Sequence, residues 1–129
     1  MPILRHTSIL LPSGEELEMI TSIKDAKKAS MKLISDGIKM VILKRGKKGC
    51  TIFTEDLTDG MDIAGYNVDE IDPTGAGDSF GGAFIVGYLL NWKLEKIGKV
   101  ANAVGALKVT HFGPIPTTTY EEVIKLVEK

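Results

Sequence analysis

The amino-acid sequence predicts an α/β fold. Two continuous apolar runs, 9–11 and 40–43, are typical of strands that are buried on both faces of a parallel sheet. Segments with apolar residues at helical spacing lie between and after these runs. A strand, two helices, a strand with a hairpin and then three helices, in that order, indicate an α/β protein rather than an all-α or all-β protein.

The first half of the chain is predicted to hold the strands. Acids in a first helical turn favour one helix start, a glycine ends the next helix, and a turn with two glycines separates two strands. The predicted elements are a strand at 9–11, helices at 14–20 and 25–35, a strand at 40–43, an antiparallel strand at 51–53, and further strand and loop at 57–68.

The second half is predicted to be helical. A helix begins near Gly75, with Phe80 and Phe84 on one face and smaller apolar residues over most of the rest. A helix that is apolar nearly all round is expected to be buried. A helix over 94–110 and an amphipathic helix over 120–127 follow.

Composition excludes several classes of function. The chain has 129 residues, so residues 1–129 are treated as one domain, and its net charge of −1 gives no electrostatic attraction to nucleic acid or an acidic membrane. The single cysteine and two histidines do not fit the usual structural zinc patterns. No signal peptide is evident, and the longest weakly polar stretch, 75–90, is too short to span a membrane. We therefore expect a cytoplasmic protein with no nucleic-acid or membrane partner.

The segment 72–83, with the sequence DPTGAGDSFGGA, is the most informative part of the chain. Gly75, Ala76 and Gly77 leave their N–H groups with little side-chain cover, at the position where a helix has unpaired amides. Such a site binds anions such as phosphate. Asp78 lies in the same first turn, and accepting a proton from an attacking hydroxyl would explain a carboxylate beside a phosphate site.

Local chemistry alone leaves a second interpretation open. Asp78 could be a helix-start acid that follows a simple glycine turn, with no catalytic role. Two common phosphate-binding motifs are excluded, because the chain has no G-x-x-x-x-G-K-[ST] string and Phe80 stands where G-x-G-x-x-G requires glycine.

The segment 72–83 resembles the second signature of the PfkB, ribokinase-like carbohydrate kinases, which is written around D-[TP]-x-G-A-G-D. The turn 44–49 resembles the K-x-G-x-x-G turn of this family, and 101–113 resembles the helix and loop that flank the adenine. The resemblance covers the chain from about Ser8 onward. It implies the C-terminal part of a three-layer α/β/α sandwich, with the N-terminal strands and the lid outside this chain.

The resemblance assigns roles residue by residue. Asp78 resembles the catalytic base, and Gly75, Ala76 and Gly77 resemble the anion hole that steadies the transferring phosphoryl group. The residues implied in ATP binding are Lys44, Gly46, Gly49, Asn102 and Gly113. Those implied in metal binding are Glu16 for Mg²⁺ and, for a monovalent cation such as K⁺, Asp72 and Thr74, with Thr117 as a looser candidate.

One part of the family pattern is altered in this sequence. Family members often carry Asn-x-x-Glu just after a strand, associated with Mg²⁺, whereas the corresponding string here runs from Ser13 to Glu16. The acid is kept and the amide is replaced by a hydroxyl. A helix-start acid is the alternative interpretation of Glu16.

The expected activity is ATP-dependent phosphorylation of a sugar hydroxyl by the full-length protein, with this chain alone inactive. The oligomeric state is left open, and a homodimer of the full-length protein is one option. A non-catalytic nucleotide-binding module or remnant is the alternative from a different class. Asp78 argues against that alternative, because a non-catalytic copy has no chemical need for the carboxylate. An unrelated α/β fold, in which 72–83 is only a structural helix start, is the third interpretation.

Overall fold

The structure is a computed structural model, and it describes residues 2–129. The chain forms two compact units. One unit comprises Met1–Arg45 and Cys50–Asp62, and the other comprises Gly46–Gly49 and Ile63–Lys129. No helix in the described range is long and apolar enough to span a membrane.

The described residues form four strands, five α-helices and two 3₁₀ helices, at Pro2–His6 and Gly46–Lys48. The strands are β1 (Ile9–Leu10), β2 (Met40–Lys44), β3 (Gly49–Thr54) and β4 (Met61–Ala64). The helices are α1 (Gly14–Thr21), α2 (Ala26–Ser35), α3 (Ala76–Leu89), α4 (Leu94–Lys108) and α5 (Tyr120–Val127). Every predicted helix and strand is present, so the α/β prediction is confirmed.

The strands form one sheet in the order β1-β2-β3-β4. β1 runs parallel to β2, with Ile9 opposite Met40, and β2 runs antiparallel to β3, with Ile42 opposite Ile52. The predicted hairpin is therefore confirmed, and β2 is buried as expected. The predicted two-faced burial of β1 is wrong, because this strand lies at the edge of the sheet and is only half-buried.

The core of the first unit is formed by apolar residues of the sheet and of α1 and α2. These residues are Leu17, Ala29, Leu33, Val41, Leu43 and Phe53, together with Ile38 of the turn that precedes β2. Both helices start at polar caps. Ser13 caps α1, and Asp25 accepts a 2.9 Å hydrogen bond from the backbone N–H of Lys28 at the start of α2. Each helix therefore begins where the sequence predicts, with its apolar side on the core.

The second unit is built around the packing of α3 on α4. Phe84 is completely buried, and Gly87 lies so close to α4 that an added Cβ would be 3.0 Å from the Ile97 side chain. Val123 of α5 packs with Val100 and Ala103 of α4. Gly87 therefore permits the close approach of α3 and α4.

The prediction that α3 is buried all round is wrong. Its buried residues are Phe80, Phe84 and Gly87. Apolar residues near its C-terminal end are exposed instead: Ile85, Val86, Tyr88, Leu89 and Leu90. The buried face packs on α4, whereas these residues remain exposed, and Val86 and Leu90 border a cavity that α5 also lines.

Candidate functional site

The signature loop, defined as residues 72–78, is held by the carboxylate of Asp72. Asp72 Oδ1 accepts a 3.0 Å hydrogen bond from the backbone N–H of Thr74, and Oδ2 accepts a 2.8 Å bond from the N–H of Gly113. Hydrogen bonds from the Thr74 hydroxyl and amide and from the Gly113 amide lower the pKa of Asp72 to about 2. Asp72 is therefore ionised at neutral pH and joins the signature loop to the α4–α5 loop, residues 109–119.

Gly75 is the residue that directs the chain into α3. Its φ is +80°, in the left-handed region, and a Cβ at this position would lie 2.5 Å from the carbonyl oxygen of Pro114. Both observations require glycine, because other residues are strained in this conformation and the neighbour is backbone. The geometry of the turn thus explains why the signature has glycine at this position.

The N-terminus of α3 has no side-chain cap. The same holds for α4, whereas α1, α2 and α5 are capped by the side chains of a serine, an aspartate and a threonine. The N–H of Ala76 donates to the carbonyl oxygen of Pro73 at 3.2 Å, and the first intrahelical bond runs from Ser79 to Gly75. The amides of Gly77 and Asp78 lie between these two, in the part of the turn where helix amides lack intrahelical acceptors. Among the predicted anion-hole amides, Ala76 is thus partly used within the loop.

Asp78 is exposed in the first turn of α3 and borders a cavity of about 760 Å³ within the second unit. The cavity is polar near Asp78, Ser79 and Thr119 and mainly apolar elsewhere, where residues such as Val86 and Val104 line it. Its volume lies in the range of small-molecule sites. The carboxylate therefore faces open space from which a small molecule can approach.

Asn102 of α4 is buried, and its side-chain amide is engaged with backbone. Its Nδ2 donates to the carbonyl oxygens of Ile63 and Ala64, each at 3.2 Å. These bonds fix the end of β4 to α4. The asparagine implied in adenine binding therefore acts, in the structure, on the backbone of a strand end.

Gly49 lies at a close approach of two backbone segments. Its φ is +99°, and a Cβ there would be 2.0 Å from the carbonyl oxygen of Ile63. Gly46 also has a positive φ, of +57°, although an added Cβ at that position would meet open space. These two predicted nucleotide-binding glycines belong to the second unit, while Lys44, at the end of β2, belongs to the first.

In the first unit, Glu16 forms a capping box with Ser13. Glu16 Oε2 accepts a 2.7 Å hydrogen bond from the N–H of Ser13, and Ser13 Oγ accepts a 3.3 Å bond from the N–H of Glu16. The backbone bond from Ser13 lowers the pKa of Glu16, and the charge of Lys44 adds to this effect. The helix-start interpretation of Glu16 thus has a direct structural basis. The described residues contain no cluster of three or more acidic, histidine or cysteine side chains that could hold a metal.

Lys108 is a residue that the sequence analysis missed. It is completely buried at the end of α4, and its Nζ donates to the carbonyl oxygens of Asp72, at 3.3 Å, and His111, at 3.2 Å. Its position was visible in the sequence, because Lys108 follows Ala101 and Val104 at helical spacing and so falls on the apolar face of α4. A lysine on an apolar face signals a buried charge with a specific partner.

Lys108 bears directly on the predicted monovalent-cation site. Both carboxylate oxygens of Asp72 already accept backbone N–H groups, and its carbonyl oxygen accepts the Lys108 ammonium. The carbonyl of His111 is engaged by the same ammonium. Each of these oxygens keeps a further lone pair, so it is the positive charge of Lys108 beside Asp72, rather than a lack of acceptors, that opposes a K⁺ ion there.

Comparison with known proteins decides the family of the chain. The family model for pfkB family carbohydrate kinases matches residues 1–120. The chain belongs to the pfkB family of carbohydrate kinases. The match includes the signature loop, α3 and α4, and it agrees with the resemblance inferred from the sequence.

Individual relatives agree with this result. The chain is 35% identical, over 111 residues, to an uncharacterized sugar kinase of Archaeoglobus fulgidus, covering 86% of this chain and 43% of that protein. It is 34% identical over 132 residues to fructokinase-1 of Oryza sativa subsp. japonica, covering 95% of this chain and 40% of the relative. The chain thus spans about two fifths of the length of these relatives.

A solved structure confirms the ribokinase-like α/β fold. A crystal structure described as ribokinase II from E. coli, in complex with ATP and Mg²⁺, matches with a TM-score of 0.91 and 34% sequence identity. The match covers 98% of this chain and 41% of that one. The ribokinase-like fold implied by the resemblance of residues 72–83 is therefore confirmed.

Proposed function

We propose that the intact protein transfers the γ-phosphoryl group of ATP to a sugar hydroxyl, with Asp78 as the general base. The observation that supports this proposal is the first turn of α3. It carries an uncapped amide pair, at Gly77 and Asp78, and the Asp78 carboxylate in the same turn, within a segment that matches the family signature. A phosphate site and a proton acceptor are thus adjacent in the chain, as phosphoryl transfer to an alcohol requires.

In this reaction the hydroxyl oxygen attacks the γ-phosphorus, the bond from that phosphorus to the bridging oxygen of ADP breaks, and the hydroxyl proton passes to Asp78. The amides of the first turn of α3 would stabilise the charge on the transferring group, because a helix N-terminus carries a partial positive charge. Gly75 holds these amides in place through its left-handed turn. Mg²⁺, when bound with ATP, neutralises phosphate charge.

Three of the predicted nucleotide residues act on the backbone. Asn102 fixes the end of β4, Gly113 binds Asp72 of the signature loop, and Gly49 permits a close backbone approach. We propose that residues 1–129 form the ATP-binding, C-terminal portion of a sugar kinase. Because Mg²⁺ is usually held by one or two carboxylates together with phosphates, Glu16 is the candidate acid, acting with the nucleotide rather than in a protein-only site.

The test is phosphoryl transfer by the intact protein, measured with Mg-ATP and a panel of sugars, for wild type and Asp78→Asn. We expect turnover with at least one sugar and a fall in kcat of about 10²–10⁴-fold in the variant, the usual contribution of a general base. The affinity for ATP, measured by calorimetry, is expected to stay unchanged. Asp69→Asn is the matched control, because Asp69 is an exposed acid outside the signature loop, and it is expected to keep wild-type turnover.

Two results would overturn the proposal. Transfer to no sugar, with ATP still bound, would favour the non-catalytic nucleotide-binding module. Full turnover by Asp78→Asn would show that another group accepts the proton.

A further inference from the structure

Lys108 presents a positive charge to the signature loop from inside the second unit. Its side chain is 0% exposed, and fully buried lysines are rare unless they are paired. The ammonium donates to the carbonyl oxygens of Asp72 and His111. Its charge also contributes to the low pKa of the Asp72 carboxylate. The lysine thus meets two carbonyl dipoles and one negative charge.

The oxygens that Lys108 binds belong to two segments that are also joined by other bonds. The N–H groups of Ile71 and Asp72 both donate to the carbonyl oxygen of Val109, at 2.7 and 2.9 Å. Gly113 donates to Asp72 Oδ2 from the same α4–α5 loop. Lys108 therefore reinforces the connection between the α4–α5 loop and the signature loop, which leads directly into the first turn of α3.

We propose that the Lys108 ammonium takes the place of a bound monovalent cation at Asp72 and makes the protein independent of K⁺. Carbonyl oxygens are the ligands that replace the hydration shell of K⁺ in proteins. A lysine ammonium is a compact unit charge with three donors and can satisfy the same oxygens. A second cation at Asp72 would meet the ammonium within a few ångströms, where like charges repel strongly.

Lys108 is, on this inference, a positioning residue rather than a catalytic one. It acts on the signature loop through Asp72 and does not need to touch ATP or sugar. A lysine that is merely structural makes a different prediction, because its removal would destabilise the protein in every salt alike. The response of a Lys108 variant to K⁺ therefore distinguishes the two interpretations.

The experiment is thermal unfolding of the intact protein in potassium chloride and in choline chloride at equal ionic strength. We expect the same melting midpoint for wild type in both salts. Lys108→Ala removes the ammonium and leaves space, so its midpoint should fall by about 5–10 °C in choline and recover by at least half in potassium. Lys108→Met removes the charge but fills the space, and it should be equally destabilised in both salts. Lys125→Ala, at an exposed lysine of α5, should behave like wild type.

Two outcomes would overturn the inference. One is a wild-type midpoint that rises with K⁺ relative to choline. The other is a Lys108→Ala protein that is unfolded, or equally destabilised, in both salts. The readout does not involve phosphoryl transfer, so the result stands apart from the success or failure of the proposed kinase activity.

Discussion

Gly75 shows how a single residue links the fold to the chemistry of the site. Its left-handed φ of +80° turns the chain into α3, and the carbonyl of Pro114 occupies the space where a Cβ would be. Because the amides of Gly77 and Asp78 follow directly, the geometry of the turn sets the direction in which they point. A side chain at residue 75 would therefore affect stability and the proposed anion site together.

Gly75→Ala is predicted to destabilise the chain. The left-handed conformation alone costs a residue with a Cβ about 1–2 kcal/mol, and the contact with Pro114 adds to that cost. Gly82→Ala is the matched control, because Gly82 lies within α3 and an added Cβ meets nothing within 4 Å. Alanine is favoured over glycine in a helix by about 1 kcal/mol, so this control should be slightly stabilised. Urea denaturation of the three proteins measures both effects, and equal midpoints for the two variants would contradict the argument.

At the scale of the elements, helix and strand positions could be predicted because their signals are local. Capping residues such as Ser13 and Asp25, the apolar run of β2 and the glycine turn before β3 each specify a boundary within a few residues. Burial could not be predicted in the same way. The sequence shows that α3 is apolar nearly all round and that β1 is apolar. Whether a neighbour covers each apolar residue depends on elements that are distant in sequence.

The two faces of α3 give a direct test of its packing in the 129-residue chain. Phe84 is 0% exposed, so Phe84→Ala should cost about 3–5 kcal/mol through the cavity it leaves. Leu89 is 71% exposed, so Leu89→Ala should change stability by less than about 0.5 kcal/mol. Denaturant unfolding of the chain measures both values. A large loss at Leu89 would show that its face of the helix is covered.

At the scale of the whole molecule, the candidate site was only partly predictable. The segment 72–83 could be found because its glycines and Asp78 form a contiguous pattern. Asn102 holds the end of β4 through two hydrogen bonds to residues that are 39 and 38 positions away along the chain. No local sequence pattern contains that information. Lys108 was detectable as a lysine on an apolar helix face, although its partners at Asp72 and His111 were not.

Acid stability follows from several carboxylates that accept backbone N–H groups. Glu16 and Glu122 do so in capping boxes, and Asp72 does so in the signature loop. The pKa of each is lowered, from 4.5 for the two glutamates and from 3.8 to about 2 for Asp72. The unfolded chain therefore binds more protons than the folded chain in this range, and stability must fall as the pH falls.

Above the ordinary pKa values of 4.5 and 3.8, these acids are expected to make their full contribution to the free energy of unfolding. We expect this free energy to decline as the pH drops toward 2. Asp72→Asn should be less stable than wild type at neutral pH, and the difference should shrink as Asp72 becomes protonated in the wild type. Urea unfolding at a series of pH values measures the two curves. The free energy of unfolding of Asp69→Asn, a variant at an exposed acid, should change with pH in the same way as that of wild type. The contradicting outcome is a difference in the free energy of unfolding between wild type and Asp72→Asn that stays constant down to pH 2. It would show that the hydrogen bonds of Thr74 and Gly113 do not favour the ionised form of the carboxylate. The connection between the two loops would then depend on Lys108 and the backbone alone.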